Sequence, residues 1–232
     1  MLRSRAAERH QGGTVADLRQ LLRDLPVFAA DPLPVFDPAE TPGDPVALFT
    51  DWLLGAIRAQ VPEPHAMTLA TAGPDGDPSA RTLILKDVDA AGWRFAAHRA
   101  SGKGRELAAR PYAALTFYWQ PLARQVRVRG PVVPESAERS AADFLARSAG
   151  ARAEALLGRQ SRPLASLAER DAAVAGAAER LARDPGLVPP EWTLYAVRAE
   201  EVEFWQGSRD RDHTRLRYRR DGAGWTKELL WP

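Results

Sequence analysis

Cysteine is absent from the 232-residue chain, which removes disulfides, thiolate metal sites and a cysteine nucleophile together. Histidine is scarce. His10, His65, His98 and His213 stand far apart, with no HExxH pair and no carboxylate-rich loop, so no metal site is expected. Long apolar runs are missing: the longest, around Ala113 to Trp119, falls far short of the roughly 18 residues a membrane span needs. The basic start Met1-Leu2-Arg3-Ser4-Arg5 is followed by neither an apolar stretch nor a small-residue cleavage site, so a cytoplasmic protein is expected. Charge of one sign is not in excess either. The 32 Lys and Arg against 30 Asp and Glu leave +2, too little to imply nucleic-acid binding without clustered cations. What is present, 45% hydrophobic and 27% charged residues, argues against global disorder and, at this length, for one compact domain.

Residues 1 to 24 carry only a short leucine pattern (Leu18, Leu21, Leu22), one amphipathic helix at most. Six prolines from Pro26 to Pro45 then forbid helix interiors and central strands, leaving an extended arm. Asp44-Pro45 is a helix start, and Leu48, Phe49, Trp52, Leu53, Ala56 and Ile57 recur at helical spacing, so a helix of about four turns ends before Pro62. From Met67 the period becomes strand-like: Met67 to Ala72, Arg81 to Asp87 and Trp93 to Ala97, separated by Gly-Pro-Asp-Gly and Asp-Ala-Ala-Gly turns. A helix at Lys103 to Ala109 precedes two more runs, Tyr112 to Trp119 and Arg124 to Val133. In the latter Val126 and Val128 alternate with Arg127 and Arg129, one face buried and one wet. Residues 135 to 183 are helical, with breaks near Gly150 and Pro163, and Trp192 to Arg198, Val202 to Trp205, Leu216 to Arg220 and Trp225 to Leu230 return to strand. The expected fold class is mainly β with helices (α+β), an antiparallel barrel with a helical insertion at about 135–183.

Three clusters carry possible chemistry. Arg81-Thr82-Leu83-Ile84-Leu85-Lys86 is an apolar strand with cationic ends; the ends either snorkel to solvent or hold an anion while the strand lies along a planar ring. In Ser101-Gly102-Lys103-Gly104-Arg105 a lysine stands in a helix's first turn, where a cation is electrostatically wasteful unless an anion binds; a plain flexible turn is the other reading. Glu203-Phe204-Trp205 is followed by Arg211, His213 and Arg215, which share one face if the segment is extended, and which otherwise form a solvated loop.

These segments, with Arg124-Gln125-Val126 and Arg159-Gln160-Ser161, resemble the pyridoxamine 5′-phosphate oxidase family, including the flavin oxidases of phenazine biosynthesis, from about Pro45 to Pro232. The resemblance implies a split β-barrel homodimer with FMN bound between subunits, an FMN-binding domain over 45–232 and a separate helix and arm over 1–44. It implies that Arg81 and Lys103 hold the FMN phosphate and that Thr82, Leu83, Ile84, Leu85 and Lys86 run along the flavin. Ala96 and Ala97 would touch it through backbone alone, and Gln125, Gln160, Ser161, Trp205 and Arg215 would complete the site. Lys86, Arg147, Arg211 and His213 fall where the substrate is gripped; Arg211 and His213 are the catalytic candidates, and no general base is evident.

The resemblance also implies the reaction, hydride transfer from substrate to FMN and then to O2 with release of H2O2. The leading expectation is a pyridoxamine/pyridoxine 5′-phosphate oxidase; the alternative is a phenazine-type oxidase of a reduced polycyclic aromatic. Lys86, Arg211 and His213 favour the first. Asp143 and Ala151 stand where the vitamin oxidases have a tyrosine and a serine beside the phosphate, and the arm and Tyr118-Trp119 are similar to the second group. A non-catalytic flavin- or haem-binding barrel has no use for the arginine row. A nucleic-acid barrel calls for exposed aromatics interleaved with lysines on one sheet, a pattern not found here.

Overall fold

A computed structural model of the chain describes residues 15–29 and 31–232. The expected leucines fall in α1 (Val15–Asp24); the basic start and His10 lie outside the described residues. Ten strands build the body: β1 (Ala66–Ala72), β2 (Pro78–Ile84), β3 (Asp87–Asp89), β4 (Gly92–His98), β5 (Tyr112–Trp119), β6 (Arg124–Pro134), β7 (Trp192–Val197), β8 (Glu201–Gln206), β9 (Thr214–Asp221) and β10 (Gly224–Leu229). All pairs are antiparallel, in the order β10-β9-β8-β6-β5-β1-β2, while β7, β4 and β3 continue from the far end of β6. This is the expected α+β antiparallel split barrel.

The split is made by β6, whose Arg124 to Arg129 pair with β8 and whose Val132 to Pro134 pair with β7. At the fork stands Gly130, where a Cβ would lie 2.0 Å from the Arg198 carbonyl oxygen. The alternation expected in this strand is present: Val126 and Val128 are fully buried.

Asp44 caps α2 (Pro45–Arg58) by accepting from Val46 N at 2.9 Å, and Pro45 opens the helix. Its buried face closes the barrel: Phe49 meets Phe117 and Trp93 at ring distances of 4.9 and 5.6 Å, and Trp52 meets Phe204 at 5.2 Å. Burying such rings contributes about 2 to 3 kcal/mol each. The proline-rich arm is tied across β9 and β10, where Tyr218 donates to the Pro42 carbonyl (2.7 Å) and Lys227 to that of Thr41 (3.0 Å).

One local expectation is corrected. The run Arg81 to Asp87 is not one strand: Leu85 N donates to His65 O (2.9 Å), but Lys86 N donates to Arg94 O (2.8 Å), so the chain leaves β1 for β4 at that point. The helical insertion is α4 (Ala137–Leu145), α5 (Ala149–Leu156) and α6 (Leu167–Arg183). Its breaks fall near Gly150 and Pro163 as expected, with Ser148 capping α5 and Gly150 inside the first turn. Buried Arg94 clamps this insertion to the barrel, reaching Asp87 (3.1 Å), Asp89 (2.9 Å) and Glu135 (2.6 Å).

Candidate functional site

A cleft of about 680 Å³ opens between β2, β4 and the helical insertion, lined among others by Thr82, Leu83, Ile84, Lys86, Ala96, Ala97, Lys103, Arg147 and Gln160. Nine of the expected residues therefore meet in one place. Leu85 does not; its side chain turns into the core and is 8% exposed.

The cationic corner is built on α3 (Gly102–Ala109). Ser101 caps the helix by accepting from Gly104 N (3.2 Å), and Gly102 N donates to Ser161 Oγ (3.1 Å), which brings Ser161 to the rim. Lys103 forms no ion pair among the described residues. Burial pushes its ammonium below the usual lysine range, with Arg81 adding repulsion and Glu106 opposing it. Arg81 is partnered: it donates to Glu106 Oε2 (2.9 Å), Ser79 Oγ (2.5 Å) and the Thr71 hydroxyl. Burial opposes ionisation of Glu106, but hydrogen bonds from Thr71 and Arg81 outweigh it and hold the carboxyl below its usual range. Glu106 was missed in the sequence, although its position three residues after Lys103 places both on one helical face.

At the other end, Lys86 Nζ stands 3.5 Å from Asp143 Oδ1, and Asp143 Oδ2 accepts from Trp192 Nε1 at 2.9 Å. The Arg147 guanidinium lies 4.5 Å from the Trp192 ring centre. Its Nε is buried without a partner, as is Gln160 Oε1, whose amide nitrogen bonds the Glu154 and Ala155 carbonyls. Orphaned polar atoms in a cleft are costly unless a ligand satisfies them. His98 lines the same cleft; burial lowers its imidazole pKa, Glu191 opposes, and Arg162 and Lys103 add to the lowering.

The remaining candidates form a second group. Gln125 pairs with Trp205 across β6 and β8, and Trp205 with Arg215 across β8 and β9. The Trp205 and His213 rings are 5.0 Å apart, with Phe28 of the arm against both at 5.8 Å. His213 Nδ1 accepts from Ser208 N (3.0 Å), so a neutral ring carries its proton on Nε2. Arg215 pairs with Glu203 at 2.9 Å. Arg211 departs from the shared-face arrangement: its φ is +66° and β9 begins only at Thr214, so the segment is a turn and not an extended row. In the sheet β8 and β2 are separated by β6, β5 and β1, four spacings or roughly 19 Å along the sheet. One chain therefore carries two half-sets facing different places. Among the described residues no three His, Asp or Glu side chains gather to hold a metal, and no helix is long and apolar enough to cross a membrane.

A family model for pyridoxamine 5′-phosphate oxidase matches residues 53–206, and one for the pyridoxine 5′-phosphate oxidase C-terminal dimerisation region matches residues 192–232. The chain is 46% identical to a pyridoxine/pyridoxamine 5′-phosphate oxidase of Burkholderia multivorans, covering 84% of this chain and 92% of the relative. It is 44% identical to one of Thermosynechococcus vestitus, covering 94% and 99%. Among solved structures it is similar to PhzG from Burkholderia lata, solved with tetrahydrophenazine-1-carboxylic acid: TM-score 0.79, 33% identity, 86% of this chain and 99% of that one.

Proposed function

This chain belongs to the pyridoxamine 5′-phosphate oxidase family, and on that premise we propose that it is a homodimeric, cytoplasmic, FMN-dependent oxidase. FMN would supply the redox chemistry, accepting hydride from a substrate carbon and passing two electrons to O2, which takes up two protons as H2O2. The cleft fits that cofactor. Beyond β1 the edge of β2 has no partner strand among the described residues, so its backbone is free to bond a planar heterocycle. Gln160 Oε1 lacks a donor, and Lys103 lacks an anion at the start of α3.

In this reading Lys103, the α3 amides and Arg81 hold the phosphate, with Glu106 orienting Arg81. Thr82 to Lys86, Ala96, Ala97, Gln160 and Ser161 border the flavin. Gln125, Trp205 and Arg215 reach it from the second subunit, along with Arg211 and His213, which hold substrate over the ring. The observation that carries the proposal is the division of the candidate residues into two half-sets on opposite parts of one sheet, which a two-fold dimer reunites. The match to a dimerisation region supports the same assembly.

For the substrate, Lys86 and Arg147 in the cleft and the names of the relatives support a vitamin B6 phosphate. One observation favours the second reading, a reduced aromatic acid: Lys86 is already paired with Asp143. The test is retention of the cofactor. The purified protein is expected to absorb near roughly 370 and 450 nm, and Arg81→Ala with Lys103→Ala to weaken FMN binding by about two to four decades, at 1.5 to 3 kcal/mol per charged contact. Unchanged affinity in the double variant would remove the phosphate site.

A further inference from the structure

A second cavity, of about 270 Å³, lies at the far mouth of the barrel, where the turn into β4, the β7–β8 connection and the β9–β10 hairpin meet. We propose that it binds a small organic dianion. Barrel mouths are common ligand sites, and this one stands apart from the cleft. β4 leaves the mouth at Gly92 and reaches the cleft at His98, roughly 20 Å along the strand. The inference does not depend on the oxidase reading.

Strand register makes the mouth cationic. Leu216 and Tyr218 of β9 are buried in the core, and Arg220 is the next residue on their face, opposite Trp225 of β10. The apolar row thus ends in a guanidinium, which lies 4.2 Å from the centre of the Trp225 ring. Arg220 N donates to the Glu200 carbonyl (2.8 Å), which brings β9 alongside the connection that carries Arg198. Both arginines line the cavity, and neither guanidinium has a hydrogen-bond or ion-pair partner among the described residues. Two like charges beside one small space repel unless an anion joins them. The carboxylates close by in sequence do not serve: Glu200 accepts from the Tyr112 hydroxyl (3.1 Å), Glu201 stands near Arg129 and Arg217 (3.9 and 3.7 Å), and Asp89 is held by Arg94 (2.9 Å). Asp221 follows Arg220 on the opposite face of β9.

Trp93 adds a third donor. It lines the cavity, is 1% exposed, and its indole N–H is buried without an acceptor. Such a group is costly until something accepts from it. The rest of the lining is alanine and glycine, with no side chain to compete as an acceptor. Polar side chains that are all donors, two of them cationic, select an acceptor carrying two negative charges, and a planar guanidinium fork fits carboxylate and phosphate alike. The volume admits on the order of ten non-hydrogen atoms. A short dicarboxylate and the phosphate ester of a small alcohol share this chemistry.

The test titrates the purified holoprotein calorimetrically with glutarate, glycerol 3-phosphate and acetate, at low ionic strength and about pH 7.5, where the phosphate is dianionic. At least one dianion is expected to bind about tenfold or more tightly than acetate, and the tighter of the two identifies the anionic group. Arg198→Gln and Arg220→Gln should each weaken that dianion about tenfold or more. Trp93→Phe, which keeps a ring in the core, should weaken it about threefold or more. Arg147→Gln, in the cleft, should leave it within about twofold. Dianions that bind no better than acetate overturn the proposal. Binding that is unchanged in Arg198→Gln, or lost in Arg147→Gln, places the anion elsewhere and overturns it as well. Arg198 is exposed, so its substitution spares the core and decides the matter even if the Arg220 or Trp93 variant fails to fold.

Discussion

Lys103 connects burial to a measurable pH dependence. Its ammonium is depressed by burial first and by Arg81 second, and a bound phosphate would reverse the shift by supplying a counter-charge. FMN binding then takes up a proton: affinity is full below the depressed pKa of the free protein and falls as pH climbs through it. Fluorescence titration of apoprotein from about pH 7 to 10.5 should show that decline beginning below the ordinary lysine value of about 10.4, and Lys103→Arg should flatten it. Glu106 runs the other way. Its lowered carboxyl contributes stability that is present above the usual glutamate pKa of about 4.3 and is lost as pH falls through the folded value. Glu106→Gln should cost on the order of 1 kcal/mol at neutral pH by urea unfolding and much less in acid. At this scale the site was half legible. Lys103 and the β2 strand announced themselves as a misplaced cation and an apolar run. The turn at Arg211 was not legible, because its positive φ is a conformational choice that residue type leaves open.

Strands whose two faces see different surroundings could be read from alternation, as Val126 and Val128 were, since burial on one side leaves a period of two. β7 shows the limit: all six of its residues are buried, with Ser140 and Phe144 of α4 packed against it, and the period vanishes. The end of β2 was misplaced for a related reason. Where a strand changes partner is decided by a backbone far away in sequence, here the Arg94 carbonyl. Gly130 marks the same kind of decision in β6, and Gly130→Ala should destabilise by about 3 kcal/mol, because the added carbon meets backbone. Differential scanning calorimetry checks it. Arg94→Met tests the clamp between hairpin and helices. Removing the buried guanidinium leaves Glu135 Oε1 without its donor, while the half-exposed Asp87 and Asp89 return to water, so the cost should be about 1 to 3 kcal/mol by chemical denaturation.

At the scale of the molecule, apolar side chains left at the surface are what the proposed dimer would cover. Trp231 is 91% exposed, Leu229 67% and Tyr118 51%, with Ile84 also open beside the cleft. If each site draws on two chains, the two halves can be supplied separately. Lys103→Ala and Arg215→Ala proteins, each poor in FMN alone, should recover about a quarter of the sites when unfolded together and refolded, by random assortment into dimers. Flavin retained per chain after gel filtration measures the recovery, and none would indicate sites built within one subunit. The fork of β6 also imposes a timetable. Residues 124–134 leave the ribosome with β5 available on one side, while the strand that pairs with Arg124 to Arg129 on the other begins only at Glu201. At about 5 to 20 residues per second, that edge waits several seconds for its partner. The helices between must be made first, and an unpaired strand edge invites another nascent chain. Yield from rapid expression should therefore depend on translation speed across α4 to α6 more than on the stability of the finished barrel.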